Sequence, residues 1–327
     1  MPIVDRRLLF AGNAVIVLIL LLAAFFAGYR TLGAGRDYLQ YAFFFTDIRI
    51  DDALSYFRFG PGFTLTAYIS KFVLRLDYQL FAVLLLFATL LLKARVFWNR
   101  QNVLLVLLFY FLAWYPLHEY TQVRLAVAIA LLFLAMNALF ETRFVVAAAF
   151  LVGAVSFQYS GLIVAPFAVV AYMLSGRPVW VGILAMTGVA AIIRVLILAY
   201  ASIIYGFNPL VEGYLVDGLG TEVNVFSVAN IWMAFALLSV WATGGLREPK
   251  TKALFLIVFA SFPLFILFLD TPIFAHRLKE LLMCFSVLLL FERKITWWAL
   301  PQMFFGFLFA ATVVYTAIRD GIIGGSV

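Results

Sequence analysis

Four short polar segments of the sequence carry side chains that could bind an anion or move a proton. The first follows an N-terminal apolar run and contains Arg30, Arg36 and Asp37, with glycines at positions 33 and 35. Glycine allows close approach of the backbone, and a guanidinium presents a fork of donors that matches phosphate oxygens. This segment could therefore bind a phosphate group, or form a turn at a membrane interface held by an arginine–aspartate ion pair.

The second segment is interrupted by Pro116, which cannot continue a helix. On a helix, His118, Glu119 and Gln122 would share an arc of about 100°, and Arg124 would lie on another side. His118 or Glu119 has the chemistry of a general base, and Arg124 that of a phosphate clamp. The alternative is a polar hairpin whose side chains form hydrogen bonds with one another.

The third segment, residues 270–280, contains Pro272, which ends the element before it. Helical spacing would place four ionisable side chains on one side of the helix that follows: His276, Arg277, Lys279 and Glu280. They could contact an anionic substrate, or Arg277 could simply pair with Glu280.

The fourth segment, residues 156–160, lies between two apolar runs and could present Gln158 and Tyr159 to a sugar, although an ordinary polar turn has the same pattern. The sequence contains no P-loop, HExxH or CxxC motif, so nucleotide hydrolysis, zinc proteolysis and thiol chemistry have no support. Cys284 is the single cysteine, and two histidines are too few for a histidine-rich metal site. We expect no metal and no cofactor.

Membrane helices must position these segments. The 327 residues are 66% hydrophobic and 12% charged, and apolar runs long enough to cross roughly 30 Å of hydrocarbon occur from end to end. The prediction is an all-α, polytopic transmembrane helical protein forming one integral membrane domain, residues 1–327. About eleven spans are expected, at residues 8–27, 78–94, 102–117, 120–139, 144–157, 160–175, 178–200, 225–243, 252–269, 277–291 and 295–317.

The basic residues orient these spans. The positive-inside rule places twelve of the 23 basic residues in the cytoplasm: Arg6, Arg7, Lys93, Arg95, Arg100, Arg143, Arg177, Arg247, Lys250, Lys252, Arg293 and Lys294. This orientation requires that residues 28–77 do not cross the bilayer. They would form a periplasmic amphipathic or re-entrant helical element, and residues 201–224 a second periplasmic loop.

An amphipathic pattern over residues 62–76 supports that arrangement. One face would carry Thr64, Tyr68, Lys71 and Arg75, and the other Leu65, Ile69, Phe72 and Leu76. The eleven basic residues that remain then fall on the non-cytoplasmic side, Arg124 and Arg194 among them at the outer ends of spans. An ionisable group within or beside a membrane span costs about 2.5–3.5 kcal/mol on insertion scales, so it usually faces a cavity or a partner. We expect the partner of these basic residues to be an anionic substrate. Without a continuous basic stripe, nucleic acid is not expected.

Several of these segments resemble, in order, motifs of the EpsG/Wzy-like family of bacterial polysaccharide (O-antigen/exopolysaccharide) repeat-unit polymerases. The matching residues are Tyr29-Arg30, Gly35-Arg-Asp-Tyr38 with Tyr41, Gly60-Pro-Gly-Phe63, Gln122-Val-Arg-Leu-Ala126, Ser156-Phe-Gln-Tyr-Ser160 and Arg277. The likeness covers nearly the whole chain. The family pattern has Gly-Thr-Asp-Tyr where this chain has Arg36, and usually a histidine where it has Gln158, which puts a catalytic role for that hairpin in doubt.

The resemblance implies a substrate, undecaprenyl-pyrophosphate-linked oligosaccharide, polymerised at the periplasmic face of the bacterial inner membrane. It also implies a flippase and a chain-length regulator as partners, and a metal-independent glycosyltransferase. The catalytic residues would be Glu119 or His118 as base, Asp37 as an orienting acid, and Arg124. Substrate-binding residues would be Arg30, Arg36, Gln122, Gln158, Tyr159, Arg194, His276, Arg277, Lys279 and Glu280. The alternatives are a GT-C-like polyprenyl-phosphate-dependent glycosyltransferase, an O-antigen ligase, and a lipid-linked oligosaccharide flippase or transporter.

Overall fold

The structure, a computed structural model, describes residues 6–29, 36–49, 59–98, 103–200, 224–292 and 297–319, and in this part of the chain all regular secondary structure is helical. The α-helices are α1 (Arg6–Gly28), α2 (Arg36–Asp47), α3 (Pro61–Tyr68), α4 (Tyr78–Trp98), α5 (Val103–Ala113), α6 (Val123–Phe140), α7 (Phe144–Phe157), α8 (Gly161–Leu174), α9 (Val179–Ala199), α10 (Val228–Ala242), α11 (Pro249–Leu267), α12 (Pro272–Met283), α13 (Ser286–Leu290) and α14 (Leu300–Arg319).

Five of these helices are long and apolar enough to cross a membrane, namely α4, α6, α9, α11 and α14. Shorter apolar helices accompany them: α5, α7, α8, α10 and residues 13–28 of α1. The predicted all-α, multi-pass membrane protein is therefore confirmed. Each of the eleven segments predicted to span contains a helix, but the number of crossings stays a prediction.

Helices α6 and α11 form the centre of the bundle. Helix α6 packs against α4, α7 and α8, and α11 packs against α8, α9 and α12. Helix α1 lies on α4, while α14 contacts α5 and α10. Small residues allow close helix contacts, as is common in membranes: a Cβ on Gly28 would lie 2.4 Å from Val83 Cγ2, and one on Gly182 2.6 Å from Leu256 Cδ1.

The break between α5 and α6 is longer than predicted. The expected spans left only residues 118 and 119 between them, whereas the structure has a turn over residues 114–122. Pro116 removes a backbone donor and excludes a helix interior. Trp114, His118 and Glu119 are nevertheless almost fully buried. Non-helical backbone at membrane depth is tolerated where protein surrounds it, so the break lies inside the bundle.

The segment predicted as one span at residues 277–291 is two helices. Helix α12 begins earlier, with Pro272 in its first turn, where proline is favoured. It ends at Met283, and α13 starts at Ser286. At the break, Cys284 Sγ donates to the Leu281 carbonyl at 3.1 Å.

Residues 61–73 form a helix, α3 followed by a π-helical turn, within the segment predicted to be amphipathic. Thr64 is 6% exposed while Leu65 is 60% exposed, but the apolar Phe63 and Ala67 are buried as well, so apolar side chains lie on both the buried and the exposed side of this helix. Lys71 Nζ donates to the carbonyls of Thr46 at 2.6 Å and Ile48 at 3.0 Å, which satisfies the end of α2. Its position relative to the bilayer stays a prediction, and residues 201–223 lie outside the described part.

Candidate active site

Three polar side chains at and just after the break between α5 and α6 run in different directions. Glu119 reaches α4 and α5, Gln122 reaches α12, and Arg124, in the first turn of α6, reaches α2. The predicted common arc of His118, Glu119 and Gln122 is wrong, because these residues are not in one helix. The break instead connects two separate clusters of charge.

The deeper cluster is the buried triad, Lys93, Tyr110 and Glu119. Lys93 Nζ donates to Glu119 Oε1 at 2.5 Å and to the Tyr110 hydroxyl at 2.6 Å. The Tyr110 hydroxyl is 2.6 Å from Oε1 and 2.5 Å from Oε2 of Glu119. None of the three is more than 1% exposed. Both carboxylate oxygens are thereby engaged, and the buried charges compensate each other.

Lys93 was predicted next to the cytoplasmic end of the span 78–94, in one cluster with Arg95 and Arg100. Helix α4 continues to Trp98, so Lys93 lies more than one turn before the helix end, and it is buried in the bundle. Its partner Glu119 is 26 positions away in sequence. A lysine flanked by apolar residues before the end of a span is the signal that could have shown a buried partner.

The second group is the arginine cluster, Arg124 with Tyr41, Phe59 and Tyr159. The guanidinium carbon lies 5.2 Å from the Tyr41 ring centre and 5.1 Å from that of Phe59, in the range of cation–π contacts. Its Nε donates to the Tyr41 hydroxyl at 3.3 Å. Tyr159 lies within electrostatic range of Arg124. Stacking uses the faces of the guanidinium, whereas phosphate oxygens bind in its plane.

Two glycines allow the segment carrying Phe59 to approach the end of α7. Gly60 has a φ of 86° and Gly62 lies in the first turn of α3. A Cβ on Gly60 would lie 2.5 Å from the Ser156 carbonyl oxygen, and one on Gly62 2.4 Å from Ser156 Oγ. This packing places Phe59 on one side of Arg124 and Tyr159, three residues beyond Ser156, near it.

Helix α12 brings a second arginine towards the same break. Glu280 is within hydrogen-bonding reach of Gln122, and Arg277 lies close to Glu280 and to His118. Glu280 Oε2 is buried and has no hydrogen-bond partner among the described residues. Because Gln122 is two residues from Arg124, this contact brings α12, which carries Arg277, to the start of α6, which carries Arg124.

His118 is fully buried, with its ring stacked 5.2 Å from that of Trp114. Within the described part of the chain, neither of its ring nitrogens has a hydrogen-bond partner. A buried polar group without a partner costs about 1–3 kcal/mol, and such groups commonly mark function. His118 therefore combines burial, a nearby arginine and unused hydrogen-bonding capacity.

A family model, the EpsG family, matches residues 13–321. The chain belongs to the EpsG family. It is thus a membrane protein of polysaccharide biosynthesis. No curated protein and no solved structure matches the chain. The residues that resembled EpsG motifs are far apart in sequence, yet several of them are in contact or electrostatic range of one another: Arg124 with Tyr41 and Tyr159, and Gly60 with Ser156. Gln122 and Arg277 both lie near Glu280.

The ionisable residues of α12 do not share one environment in this EpsG protein. Arg277 and Glu280 lie towards the break, but Lys279 Nζ donates to Asn230 Oδ1 of α10 at 3.2 Å and lies 4.4 Å from the Phe265 ring centre. His276 also contacts Phe265, with ring centres 5.1 Å apart. The single polar side predicted from helical spacing therefore divides into two, because the helix packs between neighbours.

Arg194 contacts the turn between α11 and α12. It forms a bidentate pair with Asp270, at 2.9 Å for each bond, and donates to the Leu267 carbonyl. The guanidinium holds the pKa of Asp270 below its ordinary value. The guanidinium donors of Arg194 that could bind a phosphate are thus used in the ion pair that joins α9 to this turn.

The structure describes only some of the remaining predicted site residues. Gln158 ends α7, half-buried, one residue before Tyr159. Arg30 lies outside the described residues, as do the side chains of Arg36 and Asp37. Lys93, Tyr110 and Phe59 were not predicted as partners of the polar residues, because Lys93 was counted with the cytoplasmic charges and the other two lie in apolar or aromatic surroundings.

Proposed function

We propose that this EpsG-family protein is a polysaccharide polymerase. It would transfer a growing glycan from undecaprenyl pyrophosphate onto a new lipid-linked repeat unit at the periplasmic face of the bacterial inner membrane. The observation that carries this proposal is the contact between Gln122 and Glu280, which brings α12, with Arg277, against the start of α6, with Arg124.

The two arginines have the chemistry that a pyrophosphate leaving group requires. When the bond from the donor sugar to the pyrophosphate oxygen breaks, the electron pair stays on that oxygen, and fixed cations stabilise the developing charge. Arg124 lies against two adjacent aromatic rings and donates to the Tyr41 hydroxyl, so little reorganisation is needed. We propose that Arg124 and Arg277 bind the donor pyrophosphate and that the reaction needs no metal.

The acceptor hydroxyl must lose a proton as its oxygen bonds to the anomeric carbon. Two groups near Arg277 have unused acceptor capacity, His118 and the free oxygen of Glu280, and we propose that one of them takes this proton. His118 is closed to solvent in this state, so the acceptor would reach it only after its cover moves.

Glu119 fits a different role. Its two oxygens are engaged by Lys93 and Tyr110, and it is fully buried, so we propose it as the counter-ion that fixes the break beneath the site. Its sequence-based assignment as the base stays an untested prediction. Tyr41, Phe59 and Tyr159 offer aromatic surfaces on which sugar rings can stack.

The experiment is to delete the gene in a strain that retains its flippase and chain-length regulator, and to restore it as wild type, Arg124→Ala or Arg143→Ala. Arg143 is an exposed arginine paired with Glu141 and serves as the charge-matched control. We expect long surface chains with wild type and Arg143→Ala, and single repeats only with Arg124→Ala.

Other results would overturn parts of this proposal. Loss of all surface repeats in the deletion strain would indicate a flippase or an earlier transferase. Unchanged chain length with Arg124→Ala, at equal protein abundance, would remove Arg124 from the site.

A further inference from the structure

A pocket lies at the start of α9, between it, the end of α10 and the turn that leads into α11. Its volume is about 390 Å³, and its lining includes Val179, Trp241, Leu246, Arg247 and Lys252. Small-molecule sites occupy roughly 300–1,000 Å³, so the volume suits a compact polar group. The residues proposed for polymerisation do not line it.

Two cations converge on this pocket. Lys252 Nζ donates to the Arg177 carbonyl at 2.8 Å, which fixes its ammonium at the wall. Arg247 folds back over Gly244, whose φ is 73°; a Cβ there would lie 3.7 Å from Arg247 Nε. The left-handed turn at Gly244 thus places Arg247 so that its guanidinium lies along the pocket.

The nearby carboxylates are engaged elsewhere. Glu248 accepts from the Thr251 hydroxyl at 3.0 Å, and Glu292 pairs with Lys250 at 2.9 Å. Among the described residues, neither Arg247 nor Lys252 forms an ion pair with a carboxylate. The pocket lining therefore carries two cations with no carboxylate among the described residues directly paired to either of them, which favours an anionic ligand.

The walls indicate where that anion comes from. Trp241 is 53% exposed, and Leu238, one turn earlier on α10, is 52% exposed. Tryptophan is typical of the head-group level of a membrane, and Leu238 extends an apolar surface from the pocket along the helix. Basic pockets between membrane helices commonly bind lipid head groups.

We propose that this pocket binds the phosphate of an anionic phospholipid, with Arg247 and Lys252 as its ligands and Trp241 beside the glycerol region. The positive-inside orientation assigns the lipid to the cytoplasmic leaflet. Binding itself does not depend on the proposed polymerase activity.

The test uses the purified full-length protein in detergent and measures binding of short-chain phosphatidylglycerol and phosphatidylcholine by native mass spectrometry. We expect phosphatidylglycerol to bind at least tenfold more tightly. The variant Arg247→Gln/Lys252→Gln should lose at least tenfold of that affinity, because glutamine keeps polar length but not charge. Arg95→Ala/Arg143→Ala, which removes two exposed arginines elsewhere, should bind like wild type.

A folded state of each variant is verified by its Tm before binding is compared. Equal affinity for the two lipids would overturn the proposal, as would equal losses in the pocket variant and the control. Displacement of phosphatidylglycerol by millimolar inorganic phosphate would reassign the pocket to a soluble phosphate and overturn the lipid assignment.

Discussion

The buried triad and the arginine cluster lie near the same nine-residue break, yet their charges are satisfied in different ways. In the triad, Lys93 and Glu119 neutralise each other out of contact with solvent. In the arginine cluster, Arg124 is half-buried and lies against two adjacent aromatic rings. A compensated, fully buried ion pair is suited to hold structure, whereas a half-buried arginine can still be reached by an incoming anion. Burial alone therefore does not identify the catalytic charge.

The largest expected effect is that of Lys93→Met on stability. Removing one partner of a buried ion pair leaves an uncompensated charge and typically costs about 3–5 kcal/mol. We expect the variant to be nearly absent from membranes, or to show a strongly lowered Tm in detergent. Normal abundance and Tm would show that the triad does not stabilise the break.

The double variant Lys93→Met/Glu119→Gln tests whether the charge of Glu119 is needed for stability or for catalysis. Replacing both charges with neutral groups of similar size is often close to neutral for stability, so abundance should return, and with it long chains. A stable double variant that makes single repeats only would identify Glu119 as a catalytic residue and contradict its role as counter-ion.

Arg124→Lys should show the opposite pattern, with stability retained and activity lost. Lysine keeps the charge but lacks the planar fork that binds phosphate and stacks on rings. Loss of one preorganised electrostatic contact costs about 100- to 1,000-fold in rate, and we expect a decrease of that order in polymerisation by purified protein in liposomes. Wild-type rates would show that only charge matters at this position.

Gly60→Ala should weaken the arginine cluster through the backbone. The new Cβ would meet the Ser156 carbonyl at 2.5 Å in a left-handed conformation, and such strain costs about 1–3 kcal/mol. We expect a lower Tm and shorter chains. Gly176→Ala is the control, since nothing lies within 4 Å of that Cβ; equal effects of the two variants would refute the packing argument.

Arg194→Ala should have the smallest effect. Asp270 is 54% exposed, and exposed ion pairs contribute at most about 1 kcal/mol. Because Arg194 lowers the pKa of Asp270, the stabilisation is present above the ordinary aspartate pKa and is lost as pH falls through the lowered value. We expect unchanged chain length and a slightly lower Tm at pH 7. Loss of polymerisation would return Arg194 to the substrate site.

Helices were predictable from this sequence because long apolar runs separated by polar residues have few alternatives in a bilayer. Pro116 also showed where α5 and α6 must separate. The contact partners of the polar residues could not be predicted in the same way. Lys93 was counted with the cytoplasmic charges at the end of its predicted span, and only packing of α4 against α5 and the break reveals its contact with Glu119.

The site was predictable as a set of segments but not as a geometry. Arg124 and Arg277 were identified from residue type and position, and the contact between Gln122 and Glu280 joins the two helices that carry them. Lys279 satisfied the same sequence criteria as Arg277, yet it contacts Asn230. Helical spacing defines a face, whereas neighbouring helices decide which part of that face reaches the site.

The most direct test of the central claim is a double-mutant cycle on binding of a short-chain polyprenyl pyrophosphate. Wild type, Arg124→Ala, Arg277→Ala and the double variant are compared as purified, folded proteins. If both arginines bind one pyrophosphate, their effects should be non-additive, with a coupling energy in the range of about 0.5–3 kcal/mol that is found for residues sharing one network. Additive losses, or none, would contradict a shared pyrophosphate site.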